Sequence, residues 1–197
     1  MNKTGYVKFR ANCLSPDVPR FPGLEKLNRI RSFLRQQNWL GVDEHGIGFG
    51  NVSMRDGHSP GFFITGSATG AKSRLQLADM ARVTTFDLTD NSLEYCGAIT
   101  PSAESLTHAA VYTKLPDADA VIHAHSDALW QRLMRQSLAT ATGIEYGTPE
   151  MAQAVIELLG QPAVREARVF AMAGHPAGVI AFGRDLSLAG AALQRVA

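Results

Sequence analysis

Ala120-Val121-Ile122-His123-Ala124-His125 is the stretch from which the rest of this chain is read. An apolar run entered from the turn-forming pair Pro116-Asp117 reads as a buried strand. Side chains two apart in a strand share a face, so His123 and His125 project together from one end of it. Two imidazoles buried side by side repel if both are charged and gain little if both are neutral. A shared divalent transition metal, most often zinc, resolves that conflict, because it needs neutral rings and brings its own positive charge. A third imidazole, His175, lies in a turn between two apolar runs, 168–173 and 178–182, that also read as strands. Three imidazoles plus an open position would make a catalytic rather than a structural metal site.

The bulk numbers fit such a reading without forcing it. A chain of 197 residues can fold as one domain with a sizeable core. With 45% apolar and 19% charged residues, its composition is that of an ordinary globular protein. A formal net charge of +1 gives no reason to expect nucleic acid or an anionic membrane as partner. No window has the length of an apolar membrane span, and residues 1–10 lack the apolar core of a signal peptide. Cys13 and Cys96 lie far apart in no metal or redox spacing, which reads as free buried thiols in a reducing cytoplasm.

Outward from the His-X-His strand, 1–22 is polar and punctuated by Pro16, Pro19 and Pro22. It reads as an extended arm with a short strand over 6–9, ahead of a domain over 23–197. Leu27, Ile30, Phe33 and Leu34 recur at helical steps and predict a helix over 25–39. The glycine-rich turn Gly46-Ile47-Gly48-Phe49-Gly50-Asn51 opens onto strands over 52–55 and 61–65. A polar, glycine-flanked loop over 66–73 follows. Further strands are expected over 80–88 and 92–96, with helices from Pro101 to about Lys114 and over 127–135. Thr148-Pro149-Glu150 is a good helix start, a threonine cap with proline behind it. A last helix spans 186–196. Strands that follow one another directly outnumber β-α-β alternations, so the sheet is mixed or mainly antiparallel, with helices packed on it.

Several residues each carry two readings. Glu104 opens a helix, where a carboxylate favours the positive end. It could equally be a general base beside a metal, removing a proton from a carbon next to a carbonyl. His108, one turn on, could orient Glu104 or a ligand, or could simply pack. Asn51, Thr65-Gly66-Ser67, Thr69-Gly70 and Ser102 could be ordinary turn and cap chemistry, or could present hydroxyls and backbone N–H groups to an anion. His45 and His58 read as hydrogen-bonded core residues, and Lys72 as a solvated loop lysine.

Taken in order, these pieces resemble the class II aldolase/adducin family. The matching segments are Gly50-Asn51-Val52-Ser53-Met54-Arg55, Phe63-Ile64-Thr65, Pro101-Ser102-Ala103-Glu104 and the stretch from Pro116 to Ser126. Tyr146-Gly147-Thr148 and His175 ahead of Gly178-Val179-Ile180-Ala181-Phe182-Gly183 complete the set, which covers about 24–189. The family includes sugar-phosphate aldolases and epimerases, methylthioribulose-phosphate dehydratase and the non-catalytic head of adducin.

The resemblance implies an α/β fold, a three-layer α/β/α sandwich around a mainly antiparallel mixed sheet, assembled as a homotetramer with sites between subunits. It implies Zn2+, or another divalent transition metal, on His123, His125 and His175, with Glu104 as acid/base and a candidate fourth ligand in the resting site. Asn51, Ser67 and Ser102 would hold a substrate phosphate. The implied activity is a cytoplasmic, zinc-dependent lyase of the aldolase type. It would act on a small sugar phosphate or related hydroxy-carbonyl compound through a metal-stabilised enediolate. Dehydratase or epimerase chemistry on the same site, and a non-catalytic adducin-like interaction domain, are the alternatives. The sugar-phosphate aldolases carry a second serine where this chain has Ala103, which removes one hydroxyl from the phosphate cradle. The Pro-Ser-Ala-Glu form with His108 looks closer to the dehydratases, and the Gly48-Phe49-Gly50-Asn51 turn closer to the aldolases.

Overall fold

A computed structural model describes residues 7–57 and 60–197. In chain order its elements are β1 (Arg10–Ser15), α1 (Leu24–Gln36), β2 (Gly41–Val42), β3 (Gly48–Phe49), β4 (Asn51–Arg55) and β5 (Phe62–Thr65). A 3-10 turn (Leu77–Asp79) leads into β6 (Met80–Asp87), β7 (Ser92–Cys96), α2 (Ser105–Lys114), β8 (Ala120–His125) and α3 (Asp127–Arg135). The chain closes with α4 (Pro149–Leu158), α5 (Pro162–Ala167), β9 (Val169–Ala171), β10 (Gly178–Gly183) and α6 (Leu186–Arg195).

Eight strands form one sheet in the order β1-β7-β6-β5-β4-β8-β10-β9. Among the described residues every pairing in it is antiparallel except β1 with β7. Consecutive strands joined by short turns give this pattern, since a parallel pair needs a long crossover. Period-two alternation then sorts side chains to two faces. On one side Val121, Ile180, Phe182, Phe62 and Ile64 pack under α2 and α4, through Leu106, Val111, Met151 and Val155. On the other Ala120, Ile122, Ala124, Val179 and Ala181 meet Leu27 and Leu34 of α1, Leu129 and Leu133 of α3, and Leu193 of α6. The result is a helix–sheet–helix sandwich with one core on each face.

Local signals account for the starts of α3, α4 and α6. The side chains of Ser126, Thr148 and Asp185 accept from Leu129, Met151 and Leu188 N–H respectively, and Pro149 follows its threonine cap. The early part of the chain departs from expectation. No strand occupies residues 7–9, and Tyr6 lies outside the described residues. The strand sits instead at β1, along the sheet's edge, with Leu14 52% exposed. Cys13 is therefore exposed rather than buried, and Cys96 is half-buried; both are free. Short β2 and β3, which pair with each other, and α5 are elements that local patterning did not separate from loop. No helix among the described residues is long and apolar enough to cross a membrane.

Candidate metal centre

The alternation that places Val121 under α2 places His123 and His125 on the same face. Antiparallel partners also share a face. Asn51 of β4 stands opposite His123, and Ser53 opposite Val121. On the other flank β10 pairs with β8 so that Gly178 faces His125. The tight turn just before Gly178, closed by Gly178 N–H to His175 O at 2.8 Å and His175 N–H to Met172 O at 3.0 Å, therefore lies at the His125 end of the strand. Register thus delivers His175 to the pair from far along the chain.

The three rings meet edge to face, with centroids 4.8 Å apart for His123–His125, 5.0 Å for His123–His175 and 4.8 Å for His125–His175. One nitrogen from each lies within 4.8 Å of the others. The Nε2 atoms of His125 and His175 are 3.0 Å apart. That is close to the ~3.3 Å edge expected between two nitrogens each about 2.0–2.1 Å from one tetrahedral ion. His123 Nε2 is buried without a hydrogen-bond partner. The donor set, three imidazoles with no thiolate, suits zinc and neighbouring transition metals.

The electrostatics favour neutral rings at His123 and His125. Burial, then the nearby His125, His175 and His108, hold His123 well below the usual histidine range. Burial and His175 bring His125 down to about 4, against the opposing pull of Glu104. Rings that stay unprotonated near neutral pH keep lone pairs for a cation.

Glu104, 2% exposed, sits at the N-terminal end of α2 beside the cluster. Its Oε2 accepts from Thr107 Oγ1 at 2.6 Å, and its Oε1 lies 3.2 Å from His175 Nδ1. Burial pushes this carboxyl up, but the His175 contact and charge together with the Thr107 bond outweigh it and leave it below the usual range. An ionised carboxylate is thus held against the imidazoles. His108 bonds to β4 instead: its Nδ1 meets Ser53 Oγ at 2.7 Å, and Ser53 Oγ meets Tyr112 OH at 2.7 Å. This buried trio ties α2 to β4, and burial lowers His108 to about 3.

Every residue singled out for the site lines one recess: Asn51, Ser67, Ser102, Glu104, His123, His125 and His175. The wall opposite the imidazoles is the loop from Gly66 to Gly70. Its shape is held by groups that period-counting missed. Arg31, on the inner stripe of α1 and fully buried, donates from Nη2 to Thr69 O at 3.1 Å and to Lys72 O at 2.8 Å. Arg35 bonds Gly70 O. Charged donors to carbonyls are worth ~1.5–3 kcal/mol each, set against several kcal/mol for desolvating a guanidinium. The strain of that balance shows in Arg31, which burial and the like charge of Arg35 lower to about 10. A Cβ on Gly70 would lie 2.0 Å from Gly41 O, so the loop approaches β2 as only glycine allows. The clue available beforehand was an arginine four residues after Leu27, on a stripe otherwise facing the core. Of the remaining candidates, His45 is exposed, His58 lies outside the described residues, and Lys72 pairs with Asp79. Tyr146 lays its ring 4.4 Å from that of His175, under Lys8 Nζ at 3.9 Å.

Gly174 makes the placement of His175 testable. A Cβ there would sit 1.6 Å from Ile144 O. Gly174→Ala is expected to push the turn off the 144–146 segment, lower stability by about 1–3 kcal/mol, and weaken zinc uptake with it. A melting curve and metal titration matching the wild type would contradict the assignment of this turn.

Comparison with known proteins places this architecture. Residues 35–196 match the family model described as the class II aldolase and adducin N-terminal domain, and the chain belongs to that family. It is 30% identical to 3-oxo-tetronate 4-phosphate decarboxylase of Haemophilus influenzae over 155 residues, 71% of this chain and 69% of that protein. It is 27% identical to methylthioribulose-1-phosphate dehydratase of Leptospira biflexa over 137 residues, 69% of this chain but only 59% of the dehydratase. Among solved structures, an L-fuculose 1-phosphate aldolase superposes with TM-score 0.65 at 20% identity, covering 90% of this chain and 82% of its own. The L-fuculose-1-phosphate aldolase of Thermus thermophilus does so with TM-score 0.61 at 24% identity, covering 88% of each chain. These likenesses establish the fold, a large central sheet flanked by helices.

Proposed function

We propose that this chain is a metal-dependent lyase of the aldolase type, acting on a small phosphorylated hydroxy-carbonyl compound. The observation that carries the reading is the convergence of His123, His125 and His175 on one point with the Glu104 carboxylate beside it, in a single recess. The three imidazoles would hold zinc, or another divalent transition metal. A cation bound there would supply the positive charge that stabilises an enediolate.

The protein's own groups do the rest. Glu104 takes up or returns the proton at the carbon next to the carbonyl. Thr107 occupies its Oε2 and so holds the other oxygen toward the cluster. The side chains of Ser67, Ser102 and Asn51 would meet a phosphate in this recess. Ala103 leaves that cradle one hydroxyl short of the sugar-phosphate aldolase pattern. A second recess, sharing His125 and His175 and bordered by Phe49, Tyr146 and Pro176, leaves room for the far end of the substrate. The reading includes the family's homotetrameric assembly and a cytoplasmic setting, with no nucleic-acid or membrane partner.

Cleavage of a carbon–carbon bond is favoured over dehydration or epimerisation because the relative at 30% identity is named for a decarboxylation, which also breaks such a bond. All of these reactions need the same proton-handling carboxylate and the same stabilised enolate. A panel of ketose 1-phosphates and a 3-oxo acid phosphate separates them. The expected result is release of an aldehyde or of carbon dioxide from one member. Loss of water alone would move the assignment to dehydratase, and no turnover of any member by the zinc-loaded protein would favour the non-catalytic alternative.

A further inference from the structure

We infer that Asn51 presents its side-chain oxygen to His123, fixing that ring as the Nδ1–H tautomer and leaving the Nε2 lone pair facing the other two imidazoles. The role assigned is that of a positioning residue, and its consequence for metal affinity rests on the function proposed above.

The argument is one of donors and acceptors. The Asn51 carboxamide lies 3.1 Å from His123 Nδ1, between directly opposed residues of β4 and β8, and both side chains are buried. With the amide nitrogen at the contact, Nδ1 must accept, and a neutral ring then carries its proton on Nε2. The cluster would receive a donor where a ligand atom is needed. That orientation also leaves two buried atoms of this pair without partners, Asn51 Oδ1 and His123 Nε2. A half-turn of the amide exchanges oxygen and nitrogen at no cost in shape. Nδ1–H then donates to Oδ1, and His123 Nε2 becomes an acceptor.

His175 has a comparable arrangement, since its Nδ1 lies against the Glu104 carboxylate while its Nε2 points to His125. Both buried rings would then be oriented by an oxygen behind Nδ1, one a carboxylate and one an amide. Such oxygens fix the tautomer and raise the basicity of the nitrogen in front. The exchange has a second effect: the Asn51 amide N–H groups take the place of Oδ1 on the wall of the recess, where an oxygen of an anionic ligand is their natural acceptor.

Two measurements decide it. The first is the long-range 1H–15N spectrum of the imidazoles in the metal-free wild type, with His123 assigned against His123→Gln. The expected result is a protonated Nδ1 and a bare Nε2; a proton on Nε2 overturns the inference whatever the metal does. The second is zinc affinity by competition with a chelator. Asn51→Asp offers only oxygens and is expected to bind zinc at least as tightly as wild type. Asn51→Leu removes the acceptor and is expected to bind about 10–100-fold more weakly. Equal affinities in the leucine variant and the wild type, or an aspartate variant as weak as the leucine one, would overturn it. A wild type that takes up no zinc yet shows protonated Nδ1 supports the tautomer and instead refutes the metal reading.

Discussion

Replacing His123 by alanine is expected to take the zinc content of the purified protein from about one ion per chain to near none, and to abolish turnover with it. Zinc bound by four protein ligands is worth ~10–16 kcal/mol, or about 3 kcal/mol for each, so losing one ligand of three should weaken binding by at least about two orders of magnitude. The alanine leaves His125 and His175, whose Nε2 atoms are already adjacent, but two imidazoles do not complete a catalytic site. The fold should survive. His123 lies within β8, where Ala120, Val121 and Ile122 anchor the strand in both cores, and the ladder to β4 and β10 uses backbone groups only. Metal analysis by mass spectrometry, beside a melting curve, checks both halves. Zinc retained at wild-type affinity in the folded variant would mean that the ion sits elsewhere.

Glu104→Gln separates binding from proton transfer. Glutamine has the same shape, and the Thr107 hydroxyl can donate or accept, so it can pair with either end of the new amide. The amide oxygen can then stay beside His175 Nδ1, preserving that ring's orientation. Zinc content should therefore remain at about one per chain. Turnover should fall by about 10²–10⁴-fold, the usual contribution of a positioned general base. KM for a phosphorylated substrate should change little, because the 66–70 loop, Ser67 and Ser102 are untouched. Full activity in this variant would remove Glu104 from the mechanism; loss of zinc would recast it as a ligand.

The same residues show how far the sequence could be read. Period two along β8 put His123 and His125 on one side, and that is a local property of any strand. Helix ends at Thr148 and Asp127 were legible for the same reason, since caps act within one turn. Arg31 was not: its place on the α1 stripe is visible, but its burial depends on the carbonyls of Thr69 and Lys72, brought to it from across the fold. The Ser53–His108–Tyr112 trio was equally hidden, being split between a strand and a helix that only packing brings into contact. The exposure of Cys13 follows from β1 taking the edge of the sheet, a choice made by pairing with β7 rather than by its own residues.

By itself the sequence determined which residue types could do chemistry and on which face of their own element each would stand, because periodicity and capping are settled over a few neighbouring residues. Tertiary structure alone decided that His175 and Glu104 stand against the His123–His125 pair, and that two arginines hold the facing loop. The reason is strand register: the pairing of β10 with β8 and the seating of α2 on the sheet are fixed by long-range burial, and a slip of one residue would turn the same imidazoles to the other face.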